Sequence, residues 1–353
     1  MKIGARPENA LEWIAQKLEL APTPIADTHI ALTAARAIMA GTSLGIFDAI
    51  ARGARTADEI ASACRTDTRA TRSLLDCLVS LGYVRSTSGS RYANTKRVQT
   101  WLLTESPRSV RDKLLFEDVE WNLLAQLEDF VRTGKGKDLH ASLDEAGWRL
   151  YQNAMRALAA NTAPAIARRL PVPRGAKRLL DVGGSHGLHS IALCRRHPEL
   201  RAEILELPDA LRTSSSVLEE EGLGERVRYR AGDALRDDLG SSAFDVVLVF
   251  NLVHHFSSEQ NESLVRRIAQ ALRPGGISVI GDMERKTGER DGDVIGATMG
   301  LYFALTSTSG TWPLATMRSW QRAAGLVPLP VRRVLEMPGF VLQIGRKPKR
   351  PRE

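Results

Sequence analysis

An apolar run that stops at a carboxylate and is followed by three glycines constrains this chain more than any other stretch. In Arg178-Leu-Leu-Asp-Val-Gly-Gly-Ser-His-Gly-Leu-His189, Leu179 to Val182 supply a buried strand. Gly183, Gly184 and Gly187 permit positive φ or a close approach of backbone to a ligand. A helix from about His186 aims unpaired N–H groups into the turn. Strand, turn and helix together make the first β–α junction of a doubly wound sheet, where ligands bind beyond the strand ends. A dinucleotide fingerprint needs Gly-x-Gly-x-x-Gly, and its second and third glycines are missing; a phosphate-gripping loop needs Gly-Lys-Ser/Thr, which is absent. Asp181 at the mouth of the turn repels a pyrophosphate and suits a cationic amino-acid ligand. The same glycines also fit an ordinary strand-to-helix turn.

Beyond this motif strands and helices alternate regularly. Residues 202–205 form a second strand ending at Glu206-Leu-Pro, with a helix to Glu221. Residues 226–231 form a third, ending in Gly232-Asp-Ala. Residues 244–250 form a fourth, apolar nearly throughout and therefore central. Ser257 or Ser258 caps a helix that ends at Arg273-Pro-Gly-Gly276, and 277–280 is the fifth strand. A parallel α/β sheet follows, completed by 315–324 and by strands over 329–335 and 340–344. Asp181, Glu206 and Asp233 then stand at the carboxyl ends of three successive strands, along one crevice. Glu206 is placed to accept two ribose hydroxyls and Asp233 an adenine amino group, with Leu207 and Ala234 flanking the base. Phe250 and Asn251 close the row at the end of the fourth strand. Asp233 as a turn cap and Glu206 as a solvated strand end are the alternatives.

At 353 residues the chain can hold two domains. In the first part, 24–40 carries small and apolar residues at helical spacing, and residues 41–45 break it. A second helix starts at Leu44, and Thr56-Ala-Asp-Glu59 is a capping box for a third. Asp67 or Thr68 caps a fourth, with Leu74, Leu75, Leu78, Val79 and Leu81 on one stripe. Residues 82–94 read as a hairpin. Helices and hairpin make a winged helix, which either reads DNA through Arg69 and Arg72 or pairs with its twin. Asp67 and Asp76 oppose phosphate binding, which favours pairing. Residues 105–170 are helical with interruptions at 134–137 and Gly147, and Trp148, Tyr151 and Met155 fall on one helical face. The boundaries expected are 1–104 for the winged helix, 105–172 for a helical bridge, 173–348 for the sheet domain and 349–353 for a basic tail.

The net charge of +8 raises the question of polyanions, but the basic residues are interleaved with acids except in the tail, so nucleic acid is not the partner expected. No apolar run approaches a membrane span and no N-terminal signal pattern is present. Cys64, Cys77 and Cys194 form no Cys-x-x-Cys pair and suit reduced thiols in a cytoplasmic protein. No residues are spaced to complete a metal site: His186 and His189 lack an acidic or cysteine partner, and adjacent His254 and His255 are expected to point apart.

The winged helix, the bridging helices, Asp181-Val-Gly-Gly-Ser-His-Gly187, Glu206-Leu-Pro, Gly232-Asp-Ala and Leu272-Arg-Pro-Gly-Gly276 resemble the class I S-adenosylmethionine-dependent small-molecule O-methyltransferases with an N-terminal dimerisation domain. The likeness covers most of the chain, with Ser185 where the family's middle glycine usually stands. It implies a Rossmann-like doubly wound methyltransferase domain preceded by a mainly helical winged-helix dimerisation domain. It also implies a homodimer whose N-terminal helices help wall the partner's pocket, and S-adenosyl-L-methionine bound by Asp181, Gly183, Gly184, Glu206, Leu207 and Asp233.

In that family a His followed by Asp and Trp comes after the fourth strand. The match puts the catalytic histidine on His254, with His255 and Phe256 in place of the Asp and Trp. Asp282, after the fifth strand, matches a family Glu by position and is the nearby acid able to orient His254; a second family Glu is replaced by Gly310-Thr-Trp-Pro313. His254 would take the proton of a hydroxyl whose oxygen attacks the methyl carbon in line. Tyr151, Met155, His255, Met299, Tyr302, Phe303 and Trp312 would surround a flat, apolar, aromatic acceptor. Carbon or nitrogen methylation by proximity, and a DNA-binding regulator that keeps a ligand-sensing methyltransferase-like domain, are the competing readings.

Overall fold

The computed structural model describes residues 7–87, 90–211, 218, 222–287, 293–307 and 309–349. The chain divides into two compact units, Met1–Asp118 and Val119–Glu353.

In the first unit the helices Ala31–Ser43, Ile46–Ala51, Ala57–Cys64 and Thr68–Ser80 precede a hairpin of β1 (Val84–Thr87) and β2 (Arg91–Asn94). Thr56 and Glu59 exchange side-chain and backbone hydrogen bonds as a capping box, and Asp67 accepts from the Ala70 N–H. The stripe on Thr68–Ser80 buries Leu75 and Leu78 against Phe47, Ile60 and Val84. The expected helix over 24–40 instead opens with a short α-helical turn, Thr23–Ile25, passes through a π-helical turn, Ala26–Ile30, and continues through Gly41. A Cβ at Gly41 would stand 3.1 Å from Leu78, so this glycine serves close packing. The chain breaks one turn later at Gly45, whose φ is 74°.

The strands of the second unit are β3 (Arg178–Val182), β4 (Arg201–Glu206), β5 (Val227–Ala231), β6 (Phe244–Phe250), β7 (Leu272–Met283), β8 (Val327–Pro328), β9 (Arg332–Arg333) and β10 (Phe340–Arg346). They form a sheet in the order β5, β4, β3, β6, β7, β10, β8, with β9 also paired to β10. The first five run parallel to one another, and the chain order reverses between β3 and β6. Successive residues of β6 point to opposite layers. Val246, Leu248 and Phe250 join Ile166 and Leu193, whereas Val247 and Val249 join Leu264, Ile268 and Trp320.

Several boundaries differ from the sequence reading. The sheet is mixed, because β10 runs antiparallel to β7. Of the strand expected over 329–335 only Arg332–Arg333 pairs, as β9, and β8 ends before it at Pro328; prolines at 328 and 330 remove the donors that a continuous ladder needs. Arg273-Pro-Gly-Gly276 lies inside β7, since the helix Ser258–Ala271 ends before it. Gly147 interrupts nothing: it opens the helix Glu145–Arg169, and its N–H donates to the capping carboxylate of Asp144. The helix after the first motif starts at Leu188, two residues later than expected. Most of the helix predicted to reach Glu221 and of the basic tail lies outside the described residues. Among the described residues no helix is long and apolar enough to cross a membrane.

Candidate active site

The loop after β3 is shaped for a ligand to lie against backbone. Gly183 and Gly187 have φ of 67° and 72°, and a Cβ at Gly184 would stand 2.6 Å from the Asp181 carboxyl carbon. Ser185, at φ 48°, is held in this left-handed conformation by three bonds. Its N–H donates to Glu206 Oε2 at 2.8 Å, its hydroxyl to Gln152 Oε1 at 2.6 Å, and its carbonyl accepts from the Tyr229 hydroxyl at 2.7 Å. Asp181 lies beneath the loop, buried, accepting from the Ser190 hydroxyl at 2.7 Å. Burial, only partly offset by that bond, pushes the Asp181 carboxyl up to about 7. Glu206 ends β4 and also accepts the Leu207 N–H at 2.8 Å; burial raises its pKa too.

Asp233 is less committed to the crevice. One oxygen accepts the Leu235 N–H at 2.8 Å and the other pairs with Arg236 at 3.4 Å, so it serves as the turn cap that the sequence also allowed. Leu207 is half exposed, whereas Ala234 is partly buried against the layer that holds Val247 and Leu264. Phe250 has its ring in the core, edge-on to His189 at 4.9 Å. Asn251 is exposed in a left-handed conformation, its N–H donating to the Gly281 carbonyl at 2.8 Å. S-adenosylmethionine fits what converges here: Glu206 keeps lone pairs beyond its two backbone donors, and no Cβ fills the loop at 183 and 184.

After β6 a 3-10 turn, Val253–His255, presents the histidines. His254 Nδ1 lies 2.9 Å from both carboxylate oxygens of Asp282, and both side chains are buried. A carboxylate can only accept, so Nδ1 is the donor, and in the neutral imidazole Nε2 holds the lone pair. Phe303 stacks on the ring at 3.6 Å between centroids and 9° between planes. The turn is tied down through the Val253 carbonyl, which accepts from Asn261 Nδ2 and Trp312 Nε1, each at 2.9 Å. Trp312 therefore supports the turn, packing on Trp320 at 5.1 Å.

His254 and His255 do not point apart. In the tight turn their ring centroids are 4.3 Å from each other. His140, which no sequence pattern singled out, lies 5.1 Å beyond His255 and stacks on Trp148 at 5.4 Å, with Tyr151 edge-on at 4.9 Å. Tyr302 turns its hydroxyl to Glu120 Oε1 at 2.7 Å. Burial and that carboxylate hold the Tyr302 hydroxyl far above the usual phenol range; burial does the same to Tyr151, with Glu206 and Glu120 adding to it. Met299 packs on the layer that holds Leu248 and Phe250, and Met155 is part-buried. His186 and His189 are buried, with ring centroids 6.0 Å apart. Burial pushes them down to about 3 and about 4, so both are neutral. Among the described residues no three His, Cys, Asp or Glu side chains form a group able to hold a metal ion.

Residues 141–311 match the O-methyltransferase domain and residues 29–104 the O-methyltransferase dimerisation domain. The chain is 28% identical to the N,N-dimethyltransferase OxyT of Streptomyces rimosus, over 75% of this chain and 80% of that protein. It is 27% identical to the tetracenomycin polyketide synthesis 8-O-methyl transferase TcmO of Streptomyces glaucescens, over 93% and 97%. Its fold superposes on human N-acetylserotonin methyltransferase in complex with SAM with a TM-score of 0.82 at 18% identity, covering 98% of this chain and all of that one. The winged-helix region is thus a dimerisation domain, which indicates a homodimer, and nothing in these likenesses supports a DNA-binding regulator. Loop, carboxylates and histidine turn converge on one assignment: the chain belongs to the S-adenosylmethionine-dependent O-methyltransferase family that carries a dimerisation domain.

Proposed function

We propose that this methyltransferase acts on a phenolic hydroxyl of a small aromatic metabolite, with His254 as general base and Asp282 as its orienting partner. The observation that carries the reading is the paired contact of Asp282 with His254 Nδ1, which leaves Nε2 as a lone-pair acceptor at the end of β6. A phenol of pKa near 10 is mostly protonated at neutral pH, so a base at the reacting oxygen matters. Bound S-adenosylmethionine supplies a methyl group on a positively charged sulfur. With that group bound, Nε2 would take the acceptor's O–H proton as the oxygen is methylated. Asp282 stabilises the resulting imidazolium and is itself fixed by the Met283 N–H at 2.8 Å.

On the cofactor side we assign Glu206 to the ribose hydroxyls, the backbone at Gly183 and Gly184 to close approach, and Asp181 to the cationic end from beneath the loop. Asp233, Leu207, Ala234 and Asn251 would complete the adenine side. Trp148, Tyr151, Phe303 and the part-buried methionines Met155 and Met299 supply a flat, apolar acceptor wall, and TcmO is named for a polyketide. Three unpaired cysteines suit a cytoplasmic protein.

A second reading, methylation of nitrogen, is favoured by the name of OxyT. Incubation of the full-length protein with S-adenosylmethionine and matched phenols, anilines and methyl-free rings, read by mass spectrometry and fragment position, tests both. Oxygen-linked methyl gain lost in His254→Ala supports the proposal; nitrogen-linked gain that survives that substitution contradicts it.

A further inference from the structure

A hydroxyl that becomes a methyl ether leaves its proton on the base, and the ring of His254 is poorly placed to return that proton to water. Its side chain is 4% exposed, Asp282 holds Nδ1 at 2.9 Å, and Phe303 covers one face at 3.6 Å between centroids. The acceptor itself stands on Nε2. Beside the ring lies His255, 4.3 Å away between centroids, and His140 follows a further 5.1 Å on. Exposure rises along this row. His254 is buried, His255 and His140 are part-buried, and Asp138, whose charge acts on His140, is exposed. His140 comes from a separate stretch of chain that is pinned in place. The Lys137 and Leu139 N–H groups donate to the Leu305 and Thr306 carbonyls at 2.6 and 3.1 Å, at the end of the helix Val294–Thr306 that carries Phe303. Asp138 accepts the Ala141 N–H at 3.1 Å. A wall of hydrocarbon rings would cost less to bury, since each imidazole desolvates a donor and an acceptor.

We infer that His255 and His140 relay the reaction's proton outward, from Nε2 of His254 to the exposed end of the row at Asp138 and so to water. This rests on the reading of His254 as the base. A neutral imidazole accepts at one nitrogen and donates from the other, so each ring takes one proton and gives one up. At these separations a step takes a small ring rotation or one bridging water. One proton enters at His254 and one leaves to solvent, and the three rings end neutral. Burial lowers the pKa of His255, with His254 and His140 adding to the fall; burial lowers that of His140 too, with Asp138 opposing it and His254 adding to it. Neither ring therefore stores the proton, and the outer one is the one backed by a carboxylate.

Proton release timed against methyl formation tests this. The full-length protein, preloaded with S-adenosylmethionine, is mixed with a limiting amount of the phenol it methylates fastest. A pH-indicator dye in weakly buffered solution follows the proton, and quenched samples read by mass spectrometry follow the methyl. The unsubstituted protein should release about one proton per methyl, with the two time constants equal to within about twofold. In His140→Phe, which keeps an aromatic ring against Trp148, and in His255→Phe the proton should lag. Its time constant should be at least about fivefold longer than that of methyl formation, whatever the absolute rate. Asp138→Asn should give a smaller lag in the same direction. A purely structural role would slow both traces together. Equal time constants in both histidine variants, or a lag already present in the unsubstituted protein, overturns the inference. The base assignment is judged separately: methyl gain on oxygen that is lost in His254→Ala keeps it. Survival of that gain, or no phenol methylated on oxygen at all, removes it and the relay with it.

Discussion

Asp282 offers both carboxylate oxygens to Nδ1 of His254, each at 2.9 Å, across the gap between the end of β6 and the end of β7. The pair fixes tautomer and ring plane together, and stacked Phe303 removes the remaining freedom. Removing the base should cost methyl transfer a factor on the order of 10² to 10⁴. His254→Ala and Asp282→Asn should both lower kcat in that range while leaving the dissociation constant of S-adenosylhomocysteine within threefold. Steady-state kinetics and calorimetry on the same preparations check this.

The turn that carries His254 depends on one carbonyl. Asn261, fully buried, donates to Val253 and also to the Phe256 carbonyl at 3.1 Å. Asn261→Leu takes a donor from each of two carbonyls, leaving Val253 with Trp312 alone, and should destabilise the protein by about 1–3 kcal/mol. Trp312→Phe, losing one donor, should cost about 1 kcal/mol and reduce kcat more than KM. Denaturant melts and kinetics separate the two effects.

The loop after β3 tolerates no added carbon. Gly184→Ala would bring a Cβ to 2.6 Å from the Asp181 carboxyl and 2.8 Å from Ile204, an overpacking worth about 1–3 kcal/mol. Loss of cofactor affinity by more than tenfold should accompany it in calorimetry. Ser185→Gly, by contrast, relieves a left-handed residue but breaks the bond to Gln152, and should leave stability nearly unchanged while weakening cofactor binding a few-fold.

Cofactor affinity should depend on pH through Asp181. Burial raises its carboxyl to about 7, against the Ser190 hydrogen bond and with Glu206 pushing the same way. Below that pH the empty site is largely protonated, and a cationic ligand favours the ionised form, so binding releases a proton. Affinity for S-adenosylmethionine should therefore fall as pH drops from 7.5 to 6, by at most about tenfold per pH unit. Asp181→Asn should flatten the profile. A flat profile in the unsubstituted protein would contradict the assignment.

Much of the sheet is legible in the sequence because its strands are apolar runs that stop at acids and glycines; Asp181 and Glu206 are placed by that pattern alone. His254 and Asp282 are placed by family likeness at the ends of two such runs, and their contact is the new fact. His140 is invisible in the sequence because it occupies a short 3-10 turn, His140–Ser142, with no periodicity to mark it. Asn261 escapes notice because a polar residue on an amphipathic helix reads as solvent-facing, whereas this one turns inward to a carbonyl. The prolines at 328 and 330 are visible, but the apolar residues around them argue for a strand that their missing donors interrupt. The division at Asp118 falls inside the helix Arg111–Leu124, where composition does not change.

The most direct test of the account is methyl transfer to a phenol by the full-length protein and by His254→Ala side by side, followed by mass spectrometry with labelled S-adenosylmethionine. One labelled methyl on the phenolic oxygen, formed at least about a hundredfold more slowly by His254→Ala while S-adenosylhomocysteine still binds, is the predicted result. Equal rates in the two proteins, or label found on carbon or nitrogen alone, would contradict it.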